Sequence, residues 1–200
     1  LDEGMFFTSS SYKQVLDKRR GFITEVDENQ LVCAGLDIAK DYASTVLTIG
    51  TVEEVELMDG DYDIQKKIGT WIELKNADYE FQHYEICNAL IEYGVDVLYA
   101  DYTGVGKAVV DRMLHEIGDK VLIIPYTFSR PSKSDMWLSL DGDVKTNRLS
   151  VPANKKVRAS LEYQAFEEQV LNLQKDYQGS YLVAHKSSGF KDDYCDSLGL

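Results

Sequence analysis

The sequence has few of the residues that build disulfide frameworks and zinc sites. Its three cysteines, Cys33, Cys87 and Cys195, are far apart and lack C-x-x-C spacing. Its three histidines are equally scattered. These absences argue against a disulfide framework and against a zinc site, and they favour a reducing cytoplasm.

Long apolar runs and an excess of basic residues are also missing. No stretch approaches the roughly 18 apolar residues that cross a bilayer, and no signal peptide is visible, so we expect neither a membrane partner nor secretion. The formal net charge of −13 argues against an autonomous, tight nucleic-acid binder, which is usually basic. It does not exclude a metal nuclease, because bound cations offset the acids of such a site. If DNA is the substrate, another domain or a partner would deliver it.

Aspartate is concentrated in three patches. Asp37 interrupts the apolar run LVCAGLDIA, and Asp101 ends the apolar run VDVLYAD. The third patch, KDDYCDSLGL, contains Asp192, Asp193 and Asp196. An isolated buried carboxylate is costly, whereas acids that repel one another are readily explained around Mg²⁺ or Mn²⁺, which prefer hard oxygen ligands. The pattern therefore indicates metal-dependent chemistry on a phosphodiester.

The length of 200 residues fits one domain with a sizeable core. We assign that domain to residues 31–200. Residues 1–30 are polar and are interpreted as a lead-in or linker with one helix around residues 12–18. Because the chain begins at Leu1 rather than Met, we expect it to be part of a larger protein.

The domain is predicted to begin with three antiparallel strands. Residues 31–39 form the first, and residues 44–49 and 52–58 form two more that a tight turn at Gly50-Thr51 would join. Helices and buried strands then alternate, which implies a parallel portion of the sheet. The predicted order is a helix over 78–93, a strand over 95–100, a helix over 106–117 and a strand over 121–125.

The remainder of the chain contains shorter predicted elements. Residues 129–143 look irregular, and a strand over 148–151 precedes a long amphipathic helix over 155–173. A hairpin is predicted over 177–188, and Asp192 opens a final helix.

Each aspartate patch also has a purely structural explanation. Asp37 could be a buried hydrogen-bonded acid, Asp101 a turn residue and Asp192 an N-cap. Asp193 and Asp196 are explained less well in this way, because their spacing puts them on one helical face, where they can reach one ion or flank two. Asp101 would end a central strand, where open α/β sheets place ligands. If its strand neighbours the strand of Asp37, both carboxylates can face one point.

The segment DYTGVGKA superficially matches a phosphate-binding loop. Asp101 occupies the position of the first glycine of G-x-x-x-x-G-K, and Ala108 replaces the final Ser or Thr. The segment is therefore interpreted as a turn into the following helix. No Walker A motif remains to support an ATPase.

A few basic residues are candidates for contact with a DNA backbone. They are Lys107, Lys191 and the cluster of Lys155, Lys156 and Arg158. The alternative for the cluster is a solvated helix start.

The predicted order of elements and acids is similar to the RNase H-like fold. Within that superfamily the chain resembles the C-terminal nuclease domain of the large terminase subunit of tailed bacteriophages. The resemblance covers residues 31–200 and rests on GLDIAKDYAST, YADYTGVGKAVVDRM, KTNRLSVPANKKVRASLEYQAFEEQV and FKDDYCDSLGL. It implies an α/β fold with an RNase H-like mixed sheet, in which an antiparallel three-strand start is followed by parallel strands, flanked by helices.

The resemblance also implies a function and a set of site residues. The family's enzyme packages viral DNA with an N-terminal ATPase motor, and its nuclease domain cuts concatemeric double-stranded DNA. By motif match the metal ligands would be Asp37, Asp101 and an acid of the DDYCD cluster. Within that cluster Asp193 and Asp196 are the first choices and Asp192 is the reserve. Together Asp37, Asp101, Asp193 and Asp196 form the expected catalytic set.

Partners and location follow from the same resemblance. Residues 1–30 would lead in from the ATPase domain, whose motifs this chain lacks, so the chain would not translocate DNA alone. The phage portal and the small terminase subunit are further expected partners. The expected location is the cytoplasm of the infected host and, transiently, the procapsid. Lys191 replaces a histidine that family members often carry before the paired acids, so any role of that histidine is lost.

The leading hypothesis is phosphodiester hydrolysis with two Mg²⁺ or Mn²⁺ ions. One ion would lower the pKa of a water, and the other would stabilise the leaving 3′-oxygen, so no Ser, Cys or His nucleophile is needed. Two alternatives stay open. The chain could be another RNase H-like nuclease, such as a junction resolvase or an RNA-strand hydrolase, or a non-catalytic domain that docks the motor onto a portal.

Overall fold

The computed structural model describes residues 3–39 and 44–200. The strands in these ranges are β1 (Leu16–Asp17), β2 (Leu31–Asp37), β3 (Ser44–Glu56), β4 (Tyr62–Lys75), β5 (Val97–Asp101), β6 (Leu122–Tyr126), β7 (Leu149–Pro152), β8 (Leu173–Gln178) and β9 (Tyr181–Lys186). The helices are α1 (Ser9–Val15), α2 (Tyr79–Glu92), α3 (Gly106–Ile117), α4 (Arg130–Lys145), α5 (Lys155–Arg158), α6 (Leu161–Leu171) and α7 (Asp193–Gly199). None of the helices in these ranges has the length and apolarity to cross a bilayer. Part of the motif GLDIAKDYAST, residues 40–43, lies outside the described residues.

Seven strands form one mixed sheet in the order β1-β7-β4-β3-β2-β5-β6. β3 is antiparallel to both β2 and β4. The pairs β2–β5, β5–β6, β4–β7 and β1–β7 are parallel. The prediction of an antiparallel three-strand start followed by parallel strands is therefore confirmed. β8 and β9 form a separate antiparallel hairpin, as predicted, but it spans residues 173–186 rather than 177–188.

Helices cover both faces of the sheet. Side chains on a strand alternate between its two faces, so each strand contributes to two separate cores. On the first face, Leu36 and Leu47 pack with residues of α2 and α3. On the second face, Val46 packs with residues of α4, α6 and α7. The first core includes Ile86, Leu90, Val110 and Met113, and the second includes Trp137, Tyr163, Phe166 and Tyr194.

The predicted turn at Gly50-Thr51 is wrong. Gly50 lies inside β3, where it pairs with Cys33, and a register irregularity separates Ile49 from Gly50 in the pairing with β4. A Cβ at Gly50 would lie 2.5 Å from the carbonyl oxygen of Lys67. This glycine therefore permits a close backbone approach opposite a bulge in β4, where Gly69 is the extra residue, rather than a turn. The reversal occurs instead between β3 and β4, at Gly60, whose φ is +86°.

Two helix predictions also need correction. The segment predicted to be irregular is the helix α4, which begins with a capping box between Ser129 and Ser132. The long helix predicted over 155–173 is two helices, because Ser160 accepts a hydrogen bond from the Tyr163 amide and starts α6 anew. The predicted helices over 78–93 and 106–117 are confirmed as α2 and α3.

The described part of the predicted lead-in, residues 3–30, packs against the body of the domain. Phe6, Phe7 and Tyr12 are buried in the core of the second face. The hydroxyl of Tyr12 lies 3.1 Å from that of Tyr163 on α6, and β1 pairs with β7. The domain boundary at residue 30 stays a prediction.

Candidate metal centre

Asp37 and Asp101 lie side by side at the carboxyl ends of two neighbouring strands. β2 and β5 are parallel neighbours, and Leu36 pairs with Ala100. Each aspartate is the next residue after that pair and the last residue of its strand. Adjacent strands are about 4.8 Å apart, so the two carboxylates can face one point, as the sequence predicts.

The final helix α7 brings the third patch to the same place. α7 packs on β2 and β3, where Ser197 Oγ donates to the Gly35 carbonyl oxygen at 2.8 Å. Gly35 has no side chain, and a Cβ at this position would overlap the carbonyl oxygen of Ser197. The Tyr194 ring is fully buried, and its amide donates to Gln169 Oε1 at 2.8 Å. These contacts fix the helix that carries Asp193 and Asp196.

Two buried carboxylate oxygens in this cluster have no hydrogen-bond partner among the described residues. They are Asp193 Oδ2 and Asp196 Oδ1. The other oxygen of Asp196, Oδ2, accepts a hydrogen bond from Lys133 Nζ at 2.9 Å. A buried acceptor without a partner costs free energy, so these two oxygens are suited to bind a cation.

The pKa values of all four acids are raised, mainly by burial. Burial raises the pKa of Asp37 well above its ordinary value, and the negative charges of Asp196, Asp193 and Asp101 raise it further. Burial raises the pKa of Asp196 to about 6, although Lys133 opposes this. Burial also raises the pKa values of Asp101 and Asp193. The acids therefore share one region of negative potential, which a divalent cation would relieve.

The donor set fits hard divalent ions, because every candidate ligand atom is a carboxylate oxygen. The aspartate oxygens are farther apart than the ligand atoms of a fully formed metal site. Within the described ranges no three of these aspartates have oxygens all within 4.8 Å of one another. The acids would draw together around one ion or flank two.

Asp192 differs from its two neighbours. It occupies the N-cap position of α7, but its side chain makes no capping hydrogen bond. Instead, Asp192 Oδ1 accepts from Lys186 Nζ at 2.9 Å, and the carboxylate is partly exposed. The geometry thus favours Asp193 and Asp196 over Asp192 within this patch.

Lys133 is part of the centre, although it is not among the site residues that the sequence predicts. Its Nζ also lies 4.6 Å from the centre of the Phe128 ring. The sequence shows only local positive charge in this region. Lys133 lies on α4, a segment that the sequence predicts to be irregular. The direction of the Lys133 side chain could therefore not be inferred from the sequence. A correct helix prediction from the Ser129 capping box would have provided the missing signal.

The predicted DNA-contact residues lie in three different places. Lys191 Nζ lies 3.3 Å from Ser44 Oγ, and its charge lowers the pKa of nearby Asp193. Lys107 lies in the first turn of α3, with its Nζ 5.7 Å from the Tyr102 ring centre. The cluster of Lys155, Lys156 and Arg158 is on α5, after β7, and is separated from β2 by β3 and β4.

Solved structures of phage nucleases have the same fold. The large terminase nuclease of thermophilic phage G20c with bound magnesium aligns with a TM-score of 0.69 and 18% identity, over 98% of this chain and 95% of that chain. A mutant nuclease domain of the large terminase subunit of bacterial virus Sf6, with manganese and beta-thujaplicinol, aligns with a TM-score of 0.61 and 11% identity, over 98% and 96%. The HK97 bacteriophage large terminase aligns with a TM-score of 0.64 and 10% identity, over 98% of this chain and 42% of that chain.

These likenesses lie in structure rather than in sequence. No protein-family model and no curated protein sequence matches this chain. The alignments extend over nearly the whole chain, including the mixed sheet and the helices that bring the aspartates together. The chain therefore has the RNase H-like fold of the phage large terminase nucleases.

Proposed function

We propose that this chain is a metal-dependent endonuclease that cuts concatemeric double-stranded viral DNA during genome packaging. The observation that carries the proposal is the convergence of Asp37, Asp101, Asp193 and Asp196, which come from two strands and a helix. The fold shared with phage large terminase nucleases supports DNA as the substrate and packaging as the context.

Asp37, Asp101, Asp193 and Asp196 would hold Mg²⁺ or Mn²⁺, with two ions as the proposed number. When bound, such ions lower the pKa of an attacking water and stabilise the oxygen that leaves. The carboxylates supply the hard oxygen ligands, and the oxygens of Asp193 and Asp196 without partners are free to do so. Asp192 would contribute mainly negative charge, because Lys186 holds its carboxylate.

The lysines around the centre have separate roles in this proposal. Lys133 holds Oδ2 of Asp196 and favours its ionised form, which leaves Oδ1 for the ion. Lys191, next to Asp193, would bind a phosphate of the cut strand and neutralise its charge. Lys107 and the α5 cluster of Lys155, Lys156 and Arg158 would contact the DNA backbone farther from the cut.

A net charge of −13 gives the isolated chain little affinity for DNA. The proposal therefore includes an ATPase domain in the same polypeptide that delivers DNA, together with the phage portal and the small terminase subunit. The site of action would be the cytoplasm of the infected host, with transient attachment to the procapsid.

The test is cleavage of supercoiled plasmid in EDTA, Mg²⁺ or Mn²⁺ by the wild-type chain and by Asp101→Asn. We expect cutting only with a divalent ion and a loss of at least about 100-fold in the variant, since metal catalysis supplies several kcal/mol. Asp176→Asn, on the exposed strand β8, is the matched control and should cut normally.

Other outcomes would favour the alternative functions. Preferential cutting of a four-way junction or of an RNA–DNA hybrid would indicate a different RNase H-like nuclease. A folded chain that binds the ions yet cuts no nucleic acid, even when joined to its ATPase domain, would favour a docking role.

A further inference from the structure

A second group of ligand atoms lies between α2 and α3, on the face of the sheet opposite α7. His83 Nε2 is 3.6 Å from Cys87 Sγ and 3.4 Å from Glu116 Oε2. His83 and Cys87 are one turn apart on α2, and Glu116 comes from α3. Within the described ranges this is the one group of three potential ligands whose atoms all lie within 4.8 Å of one another.

The spacing of these atoms matches a tetrahedral metal site. Zinc binds nitrogen, sulfur and oxygen ligands at about 2.0–2.3 Å, which puts the ligand atoms of a tetrahedron roughly 3.3–3.8 Å apart. The two separations from His83 Nε2, 3.4 and 3.6 Å, fall in that range, and Cys87 Sγ and Glu116 Oε2 lie within 4.8 Å of each other. An ion could therefore enter with only small side-chain movements.

We propose that His83, Cys87 and Glu116 bind a zinc ion that joins α2 to α3. The mixture of imidazole, thiolate and carboxylate suits a borderline-soft ion, whereas the aspartate centre suits hard ions. The two sites would thus select different metals. The sequence argued against a zinc site because its third ligand is on another helix, 29 positions after Cys87, and only the packing of α2 on α3 brings it close.

Neighbouring groups hold the ligands in orientations that suit coordination. Arg112 Nε donates to Glu116 Oε1 at 2.9 Å, which leaves Oε2 facing the imidazole. Partners of this kind orient the side chains that bind the ion in known metal sites. Arg112 is itself paired with Glu80, so its charge is offset by two carboxylates. Burial lowers the pKa of His83, which favours the neutral ring that can coordinate.

A cleft adjoins the His83 side of this group. This cleft of about 280 Å³ opens between α2 and α3 and is lined by Tyr79, Glu80, Val105, Val109 and Arg112. A water from this cleft would complete the tetrahedron. Burial raises the pKa of Cys87 to about 11, so the free thiol is protonated, and coordination would replace its proton, which passes to solvent.

The sharpest test uses cobalt as a spectroscopic substitute for zinc. The whole chain, stripped with chelator and kept reduced without thiols, is titrated with Co²⁺ and then with Zn²⁺. We expect the near-ultraviolet charge-transfer band of a cobalt thiolate, removed by one equivalent of zinc. The band should persist in Asp101→Asn, because the aspartate centre contains no sulfur. It should also persist in Cys33→Ser, the matched cysteine control, and disappear in Cys87→Ser.

A second variant keeps the test decisive if Cys87→Ser does not fold. Glu116→Gln changes a side chain that is 42% exposed, so folding should be preserved. Its zinc affinity, measured by calorimetry in the Asp101→Asn background, should fall at least about tenfold. Absence of the band in wild type, its persistence in Cys87→Ser, or unchanged zinc affinity in Glu116→Gln would overturn the proposal. Cys87 and His83 would then be a neutral S–H···N pair.

Discussion

Ser197 Oγ donates a hydrogen bond of 2.8 Å to the carbonyl oxygen of Gly35, and this contact links the last helix to the first long strand of the domain. Two residues beyond Gly35 lies Asp37, and one residue before Ser197 lies Asp196. The approach of α7 to β2 therefore determines how close these two carboxylates come. A side chain at Gly35 would prevent that approach.

Gly35→Ala should destabilise the protein and weaken its binding of divalent ions. The new Cβ overlaps the Ser197 carbonyl oxygen, so α7 must move, at a cost of about 1–3 kcal/mol. Urea unfolding and Mn²⁺ calorimetry would measure both effects. Gly142→Ala, in α4, is the matched control, because a Cβ there meets nothing within 4 Å. The control should be neutral or stabilising by about 0.5–1 kcal/mol. Equal behaviour of the two variants would contradict the steric role of Gly35.

Without divalent ions, the aspartate centre should make the protein less stable as pH rises. The pKa of Asp196 is about 6 in the folded chain against an ordinary 3.8, so the folded state keeps a proton that the unfolded state loses. The unfolding free energy therefore falls between about pH 4 and just above pH 6. For Asp196 alone this difference corresponds to about 3 kcal/mol.

The measurement is urea unfolding in EDTA across this pH range, with wild type compared to Asp196→Asn. Their difference isolates the contribution of Asp196 from those of other titrating groups. Saturating Mg²⁺ should stabilise wild type more at pH 7 than at pH 5, because ions bind the charged carboxylates. If the two proteins show parallel pH profiles, the raised pKa of Asp196 is wrong.

The acids of the DDYCD cluster should not be equivalent. Asp193→Asn and Asp196→Asn each remove a buried oxygen that has no other partner, so we expect Mn²⁺ affinity to fall at least about tenfold. Asp192→Asn removes a partner of Lys186 and should change the affinity less than about threefold. Calorimetry on the three variants would rank them. A loss as large in Asp192→Asn would move that residue into the ligand set.

Lys133→Met should destabilise the chain by about 1–3 kcal/mol, because it leaves Asp196, 8% exposed, without its cationic partner. The pKa of Asp196 should rise above about 6. Lys120→Met, an exposed residue beyond α3, is the control and should have little effect. In the double variant Lys133→Met with Asp196→Asn, most of the loss should be recovered, since the carboxylate that Lys133 pairs with is also removed. Strict additivity of the two single effects would exclude the pairing.

Lys191 and the basic cluster on α5 should affect DNA cleavage differently. Lys191→Ala should lower kcat, because Lys191 lies next to Asp193. Lys155→Ala with Lys156→Ala should leave kcat intact and weaken DNA binding, reducing the slope of log affinity against log salt by about 2. Filter binding at several salt concentrations, beside plasmid cleavage, would separate the effects. An unchanged slope would mean that α5 does not contact the backbone.

Local patterns in the sequence were sufficient for much of the sheet. The buried runs before Asp37 and Asp101 predict β2 and β5 because a continuous apolar run is typical of strands covered on both faces. Local patterns failed at Gly50, where an isolated glycine signalled a turn but lies inside a paired strand, opposite a bulge in β4. They also failed at Ser160, where a single capping residue divides one apparent helix into two. The outcome at Gly50 depends on the partner strand β4, whereas the cap at Ser160 is a local signal that the prediction missed.

The sequence by itself determined that acids interrupt or end buried strands and open the last helix, because apolar runs and capping residues are local features of the chain. It put Asp37 inside a strand over 31–39, whereas Asp37 is the last residue of β2. Only the tertiary structure decided that Asp37 and Asp101 are neighbours and that α7 lies against Gly35. It also decided that Lys133 reaches Asp196 and that Glu116 faces His83. These relationships arise from strand order and helix packing, which join residues up to 162 positions apart. No local pattern encodes such pairings.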